Sequence, residues 1–158
     1  MVITAIVSNI YRENEVTVST GDSKKKIIIP SKPLGKGSSV NGGELLFLAL
    51  ATSFCNDLYR EAARRDIDIN SVEVTVKGEF GDEGEPASNV VYEVKAQSST
   101  CTPQEITDLI RDVDRVAEVQ NTLRTGVSVT LRIHDPTPGS EPQQAMKFSG
   151  KSETRLTY

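Results

Sequence analysis

Two cysteines, Cys55 and Cys101, and a single histidine, His134, carry most of the reactive chemistry open to this chain. A thiol attacks as its thiolate, so a working cysteine needs a cation or a helix N-terminus beside it. On a 100° wheel Cys55 falls with Phe47, Ala51, Phe54, Leu58, Tyr59 and Ala62. In such a setting a cysteine acts as a small hydrophobe whose pKa burial raises. From the residues alone Cys55 reads as core filler, with catalysis as the alternative. Cys101 lies just before a second helix start, whose dipole could activate it, and reads as a loop residue. His134 sits beside Asp135 and Pro136 and reads as a surface residue; no Ser-His-Asp or Cys-His arrangement can be built without it. Ser53, Asn56, Asp57, Arg60 and Arg64 gather opposite Cys55. Of these, Ser53, Asp57 and Arg60 form a polar stripe that either lines a binding pocket or faces water. No metal-ligand set is visible, and Gly35-Lys36-Gly37 and Gly42-Gly43 lack phosphate-loop spacing. Neither a metal nor a cofactor is expected.

The elements that must position these groups are legible in outline. Residues 2–9 and 15–20 are rich in β-branched side chains and predict strands, with Glu13-Asn14 as the turn between them. Gly21-Asp22-Ser23 leads into a third strand over 24–29, whose Lys24-Lys25-Lys26 run discourages edge pairing. Residues 30–43 hold two prolines and four glycines and predict a loop. Asn41 with Glu44 three places on has capping-box spacing, and a long helix should run to about Arg65. Its first half, 45–50, is apolar all round and predicts cover on more than one side.

Alternation over 71–80 predicts a strand, and 89–96 its hairpin partner. Thr102-Pro103-Gln104-Glu105 starts a second helix. Ile106, Leu109, Ile110, Val113, Val116 and Ala117 continue it at helical spacing to about Thr125, and Gly126 stops it. A last strand is expected over 127–133. The fold class is therefore α+β, ordered β-β-β-α-β-β-α-β. Residues 1–134 form one domain and 135–158 a tail or arm.

With 158 residues, 37% hydrophobic and 25% charged, the chain can bury a real core. A net charge of −4 argues against nucleic acid as a partner. The longest apolar run, 45–51, is too short for a bilayer, so no membrane association is expected. With no secretory leader pattern and no disulfide framework, the expected location is cytoplasmic.

Two segments resemble the OsmC/Ohr family of osmotically inducible and organic hydroperoxide resistance proteins. Asn41-Gly-Gly-Glu-Leu-Leu-Phe-Leu-Ala-Leu-Ala-Thr-Ser-Phe is similar to the family's Asn-Pro-Glu-Glu-Leu … Ala-Ala-Cys-Phe run. Val116-Ala-Glu-Val-Gln-Asn-Thr-Leu resembles its Cys-Pro-Val-Ser-(Asn)-(Thr)-Leu run. With the strand order, the similarity covers roughly residues 2–133.

The resemblance implies an intertwined homodimer with two long central helices on antiparallel sheets and active sites at the subunit interface. It implies a peroxidatic and a resolving cysteine, an orienting glutamate, and an arginine from the first hairpin. Here Ser53, Ala117 and Gly43 stand where the two thiols and the glutamate are expected. Glu44 lies one place beyond as a cap, and Arg12 is the candidate arginine. A serine alkoxide cannot form a sulfenate, and Cys55 points some 200° around the helix from Ser53. The expected protein is thus an OsmC-like homodimer related to oxidative-stress defence. It lacks the standard two-cysteine reaction and has room at its interface for a small apolar or peroxide ligand, contacted by Ser53, Asp57, Arg60, Arg12 and Glu44. The alternative is a thiol-dependent organic hydroperoxide reductase that uses Cys55.

Overall fold

The computed structural model describes residues 1–133. It is a mixed α+β fold with two antiparallel sheets and three helices. β1 (Ile3–Ile10), β2 (Glu13–Thr20) and β3 (Ser23–Ile27) form a meander. Ile10 pairs with Glu13, so Tyr11-Arg12 makes the first turn, and Arg12 adopts φ 62°. The turn expected at Glu13-Asn14 lies two residues upstream, because these two residues pair in β2. Only Val16 of this sheet is buried. Ile3 and Val7 on one face, and Ile6 and Ile10 on the other, are all more than half exposed.

Helix α1 (Gly42–Arg64) begins with the expected capping box. The Glu44 N–H donates to Asn41 Oδ1 at 2.9 Å, and the Asn41 N–H donates to Glu44 Oε2 at 2.7 Å. Two of the first turn's free N–H groups are satisfied in this way. The helix packs on β4 (Ser71–Phe80), which pairs with β5 (Ala87–Gln97). The hairpin is one-sided. Val72, Val74, Tyr92, Val94 and Ala96 face the helices, while Lys95–Glu73 (2.6 Å) and Lys77–Glu93 (3.5 Å) pair on the other face. Phe54, Leu58, Ala62, Ile69, Leu109, Val113 and Ala117 fill the core between α1, the hairpin and the next helix.

The second helix differs from expectation. It is two helices, α2 (Pro103–Val116) and α3 (Glu118–Thr125), broken at Ala117, whose backbone is extended at φ −65°, ψ 101°. The Asn121 side chain donates to the Arg115 carbonyl at 3.1 Å, satisfying an α2 end group that a continuous helix would have bonded itself. The break swings Val116 outward, where it is 53% exposed, and seats Ala117 in the core. The strand expected over 127–133 is not formed among the described residues. Val127, and separately Val129, Leu131 and Ile133, are exposed. Their alternation suits a strand. His134 and the tail from 135 lie outside the described residues.

Candidate functional site

Helix α1 places the sequence-derived candidates, and its buried arc is rotated from the wheel's reading. Leu50, Phe54, Asp57, Leu58 and Ala62 are buried, whereas Tyr59 is 45% exposed. Asp57, expected on a polar stripe that either lines a pocket or faces water, is therefore turned inward. Arg60 reaches back to it at 2.7 Å, and Glu61 lies 3.7 Å from the same guanidinium. The second carboxylate oxygen, Asp57 Oδ2, is buried without a hydrogen-bond partner among the described residues. Ser53, one turn earlier, is half-buried, so the stripe is an inward Asp57 with Ser53 and Arg60 at its edges.

Cys55 is half-buried, and burial pushes its thiol above the ordinary value. No neighbouring charge among the described residues contributes to that shift. Cys101 is also a free thiol and lines a separate open cleft with Asn70, Ser98, Pro103, Ile106 and Ile110.

Arg12 is held by its backbone. Its N–H donates to the Gly35 carbonyl at 3.0 Å, and its own carbonyl accepts from the Ser31 hydroxyl at 2.8 Å. Asn9 adds a strap, donating to the Glu13 carbonyl (2.9 Å) and accepting from the Gly37 N–H (2.8 Å). The guanidinium pairs with no described carboxylate, and neither Glu44 nor Cys55 meets it. Glu44 is engaged in its cap.

The position matched to an orienting glutamate is occupied by a ring. A Cβ built on Gly43 would lie 2.7 Å from Phe80 Cε2 and 2.9 Å from its Cζ. In return, Phe47 sits over Gly78, where a Cβ would lie 2.6 Å from Phe47 Cζ. The two rings stand 5.7 Å apart. Two glycines thus receive two phenylalanines and seat the start of α1 against the end of β4.

Sequence reasoning missed two polar features. Tyr92 donates to Asp114, which Arg124 also grips at 2.5 Å, so β5, α2 and α3 meet in one cluster. Burial, followed by the bond to Asp114, pushes the Tyr92 phenol up to about 12. Arg124 also donates to the Asn121 side chain at 3.0 Å. The second feature is Gln120, 3% exposed, whose Nε2 donates to the Leu50 carbonyl at 3.0 Å. Its spacing from Val113 and Ala117 continues the buried helix face, the one sequence signal that could have found it. Beside it a cleft of about 560 Å³ opens between α1, β5 and α3.

Comparison with known proteins follows the same outline. The family model described as OsmC-like protein matches residues 35–132, more than half of the chain. An OsmC-like protein of Mycoplasma pneumoniae shares 17% identity over 77% of this chain and 87% of its own, at a TM-score of 0.54. An OsmC-like protein of unknown function from Vibrio cholerae shares 18% over 77% and 93%, at 0.56. An organic hydroperoxide resistance protein OsmC of Legionella pneumophila shares 20% over 77% and 89%, at 0.49. No curated protein matches.

Proposed function

The chain belongs to the OsmC-like family, and from that premise we propose a homodimer that binds a small apolar or peroxide ligand and lacks the two-cysteine peroxidase reaction. The observation that carries this reading is the state of the thiols. The two matching positions hold Ser53 and Ala117, and Ala117 is fully buried in the core. Cys55, the remaining helix thiol, is held above its ordinary pKa by burial, with no cation contributing. A thiol kept protonated attacks an O–O bond slowly. The alternative reductase would need Arg12 or a partner's arginine brought to Cys55.

Dimerisation is supported by apolar surface without cover. Both faces of β1 expose isoleucine or valine, and Leu48 on α1 is 59% exposed. Val127 is likewise exposed. Large apolar side chains left exposed on several elements suit an association surface. An obligate interface of roughly 2,000 Å² or more is expected. The cytoplasm is the proposed location; no helix among the described residues is long and apolar enough to cross a membrane.

The test pairs sedimentation with a peroxide-consumption assay using tert-butyl hydroperoxide and a dithiol. The expected results are a dimer at micromolar concentration and equal, slow consumption by wild type and Cys55→Ser. A stable folded monomer removes the dimer. Brisk turnover that Cys55→Ser abolishes establishes the reductase instead.

A further inference from the structure

We propose that the groove between β5 and α2 binds a small organic carboxylate, with Arg111 and Arg115 on the carboxylate and Val94 and Ile110 under its apolar body. The inference goes beyond the reading above and depends neither on the thiols nor on the dimer. The groove is open to solvent and holds about 510 Å³. Its charged lining is three arginines and one aspartate, Asp114.

The charges on this face do not balance. Asp114 is engaged by Arg124 at 2.5 Å and by the Tyr92 hydroxyl. Asp112 is held by Arg65 at 2.9 Å and by Arg115 at 2.7 Å. Asp108 takes Arg111 at 3.4 Å. Among the described residues, four guanidinium groups in this network share three carboxylates, which leaves one positive charge over. A monoanion supplies the missing counterpart, and a phosphate dianion would exceed it.

Arg111 and Arg115 are the two that can turn to a ligand. Both line the groove, and their side chains are 65% and 73% exposed. They stand one helical turn apart on α2, so as like charges they repel until an anion lies between them. A carboxylate with two oxygens can accept from both. Freeing the pair costs little, because exposed ion pairs contribute little to stability. Asp112 also keeps Arg65 when Arg115 leaves it. Arg124 is tied to Asp114 and to the Asn121 side chain, and it serves as wall. Val94 and Ile110 pack on the core with one side and present the other to the groove. That floor favours an anion with an apolar body over a bare one.

The full-length protein is titrated with benzoate, acetate, benzyl alcohol and inorganic phosphate, and the methyl resonances of Val94 and Ile110 are followed by NMR. Benzoate is expected to bind about tenfold more tightly than benzyl alcohol, near the low end for a hydrogen bond to a charged group. It should also bind more tightly than acetate or phosphate. Its affinity should fall as salt is raised from about 0.05 M to about 0.5 M. Arg111→Gln and Arg115→Gln should each remove most of the advantage of benzoate over benzyl alcohol. Both side chains are mostly exposed, so the variants are expected to fold, which circular dichroism checks. Benzyl alcohol, acetate or phosphate binding as tightly as benzoate overturns the inference. So does a benzoate affinity unmoved by either substitution, or binding of none of the probes. These outcomes leave the dimer and the thiols to sedimentation and the peroxide assay.

Discussion

Replacing Gly43 by alanine tests whether Phe80 fills the slot that a larger side chain would need. Within a helix, glycine to alanine ordinarily stabilises by about 1 kcal/mol. Here the new Cβ would come within 2.7 Å of the Phe80 ring, so something must move. The cheapest movement is for the ring to leave, since Phe80 is already 52% exposed. Burying a whole phenylalanine side chain stabilises by about 2–3 kcal/mol, so losing its buried half costs about 1 kcal/mol. The tilted pairing with Phe47 at 5.7 Å goes with it, worth about 1 kcal/mol more. Against the helix gain, the net expectation is a loss of about 1 kcal/mol.

The sign is the informative part, because the same substitution should reverse in a background without the ring. In Phe80→Ala, Gly43→Ala is expected to stabilise by up to about 1 kcal/mol. The coupling from the double-mutant cycle is then about 2 kcal/mol, well above the few tenths seen for independent sites. Urea unfolding of the four proteins, followed by far-ultraviolet circular dichroism, measures it. Gly43→Ala more stable than wild type, or equally destabilising in both backgrounds, refutes the filled-slot reasoning.

Three further outcomes are expected. Glu44→Ala opens the capping box and should cost on the order of 1 kcal/mol in the same unfolding assay, with any activity unchanged once folded. Tyr92 should ionise only near pH 12 in a spectrophotometric titration, and Tyr92→Phe should remove that step. Because the folded-state value lies above the ordinary 10, the cluster's stabilisation is full below pH 10 and is lost as the pH rises toward 12. Ser53→Cys with Ala117→Cys should give at most weak peroxidase activity, read by hydroperoxide consumption, because Gly43 provides no carboxylate to orient Arg12. Brisk activity in that variant would show that the pocket lacks only its thiols.

The sequence declares what is local and hides what depends on neighbours. The capping boxes at Asn41 and Thr102 are four-residue patterns, and both are formed. Alternation over β4 and β5 is a period-two signal, and it places Val72, Val74, Tyr92 and Val94 on the packed face. The break at Ala117 has no glycine or proline to announce it. It follows from packing Ala117 against the core and from an asparagine four residues on that caps the first half. The wheel puts Asp57 on a polar stripe that either lines a pocket or faces water, and a wheel does not say which arc is buried. The arc that α1 buries is chosen by where β4 and α2 lie, and Arg60 reaching in at 2.7 Å makes the burial tolerable. Gln120 shows only its apolar spacing, and the role of a polar residue there is not legible until its carbonyl partner seventy positions away is known.

The three positions that the resemblance matches to the family's reagents differ in what they do in this fold. Gly43 admits the Phe80 ring and helps to seat α1 on β4. Ala117 has become core and the hinge between two helices, so a thiol there would begin fully buried, with its pKa driven up. Ser53 remains half-buried on the helix that carries Asp57 and Leu50. Restoring thiols at 53 and 117 therefore restores atoms but not their electrostatics. The orienting carboxylate has no room while Phe80 stays, and Arg12 is fixed by backbone bonds to a loop rather than by a charge pair. Activity in a rebuilt protein should consequently depend on Phe80. Gly43→Glu added to the two cysteines is expected to help only together with Phe80→Ala, because only then can the new side chain enter the slot that the ring now holds.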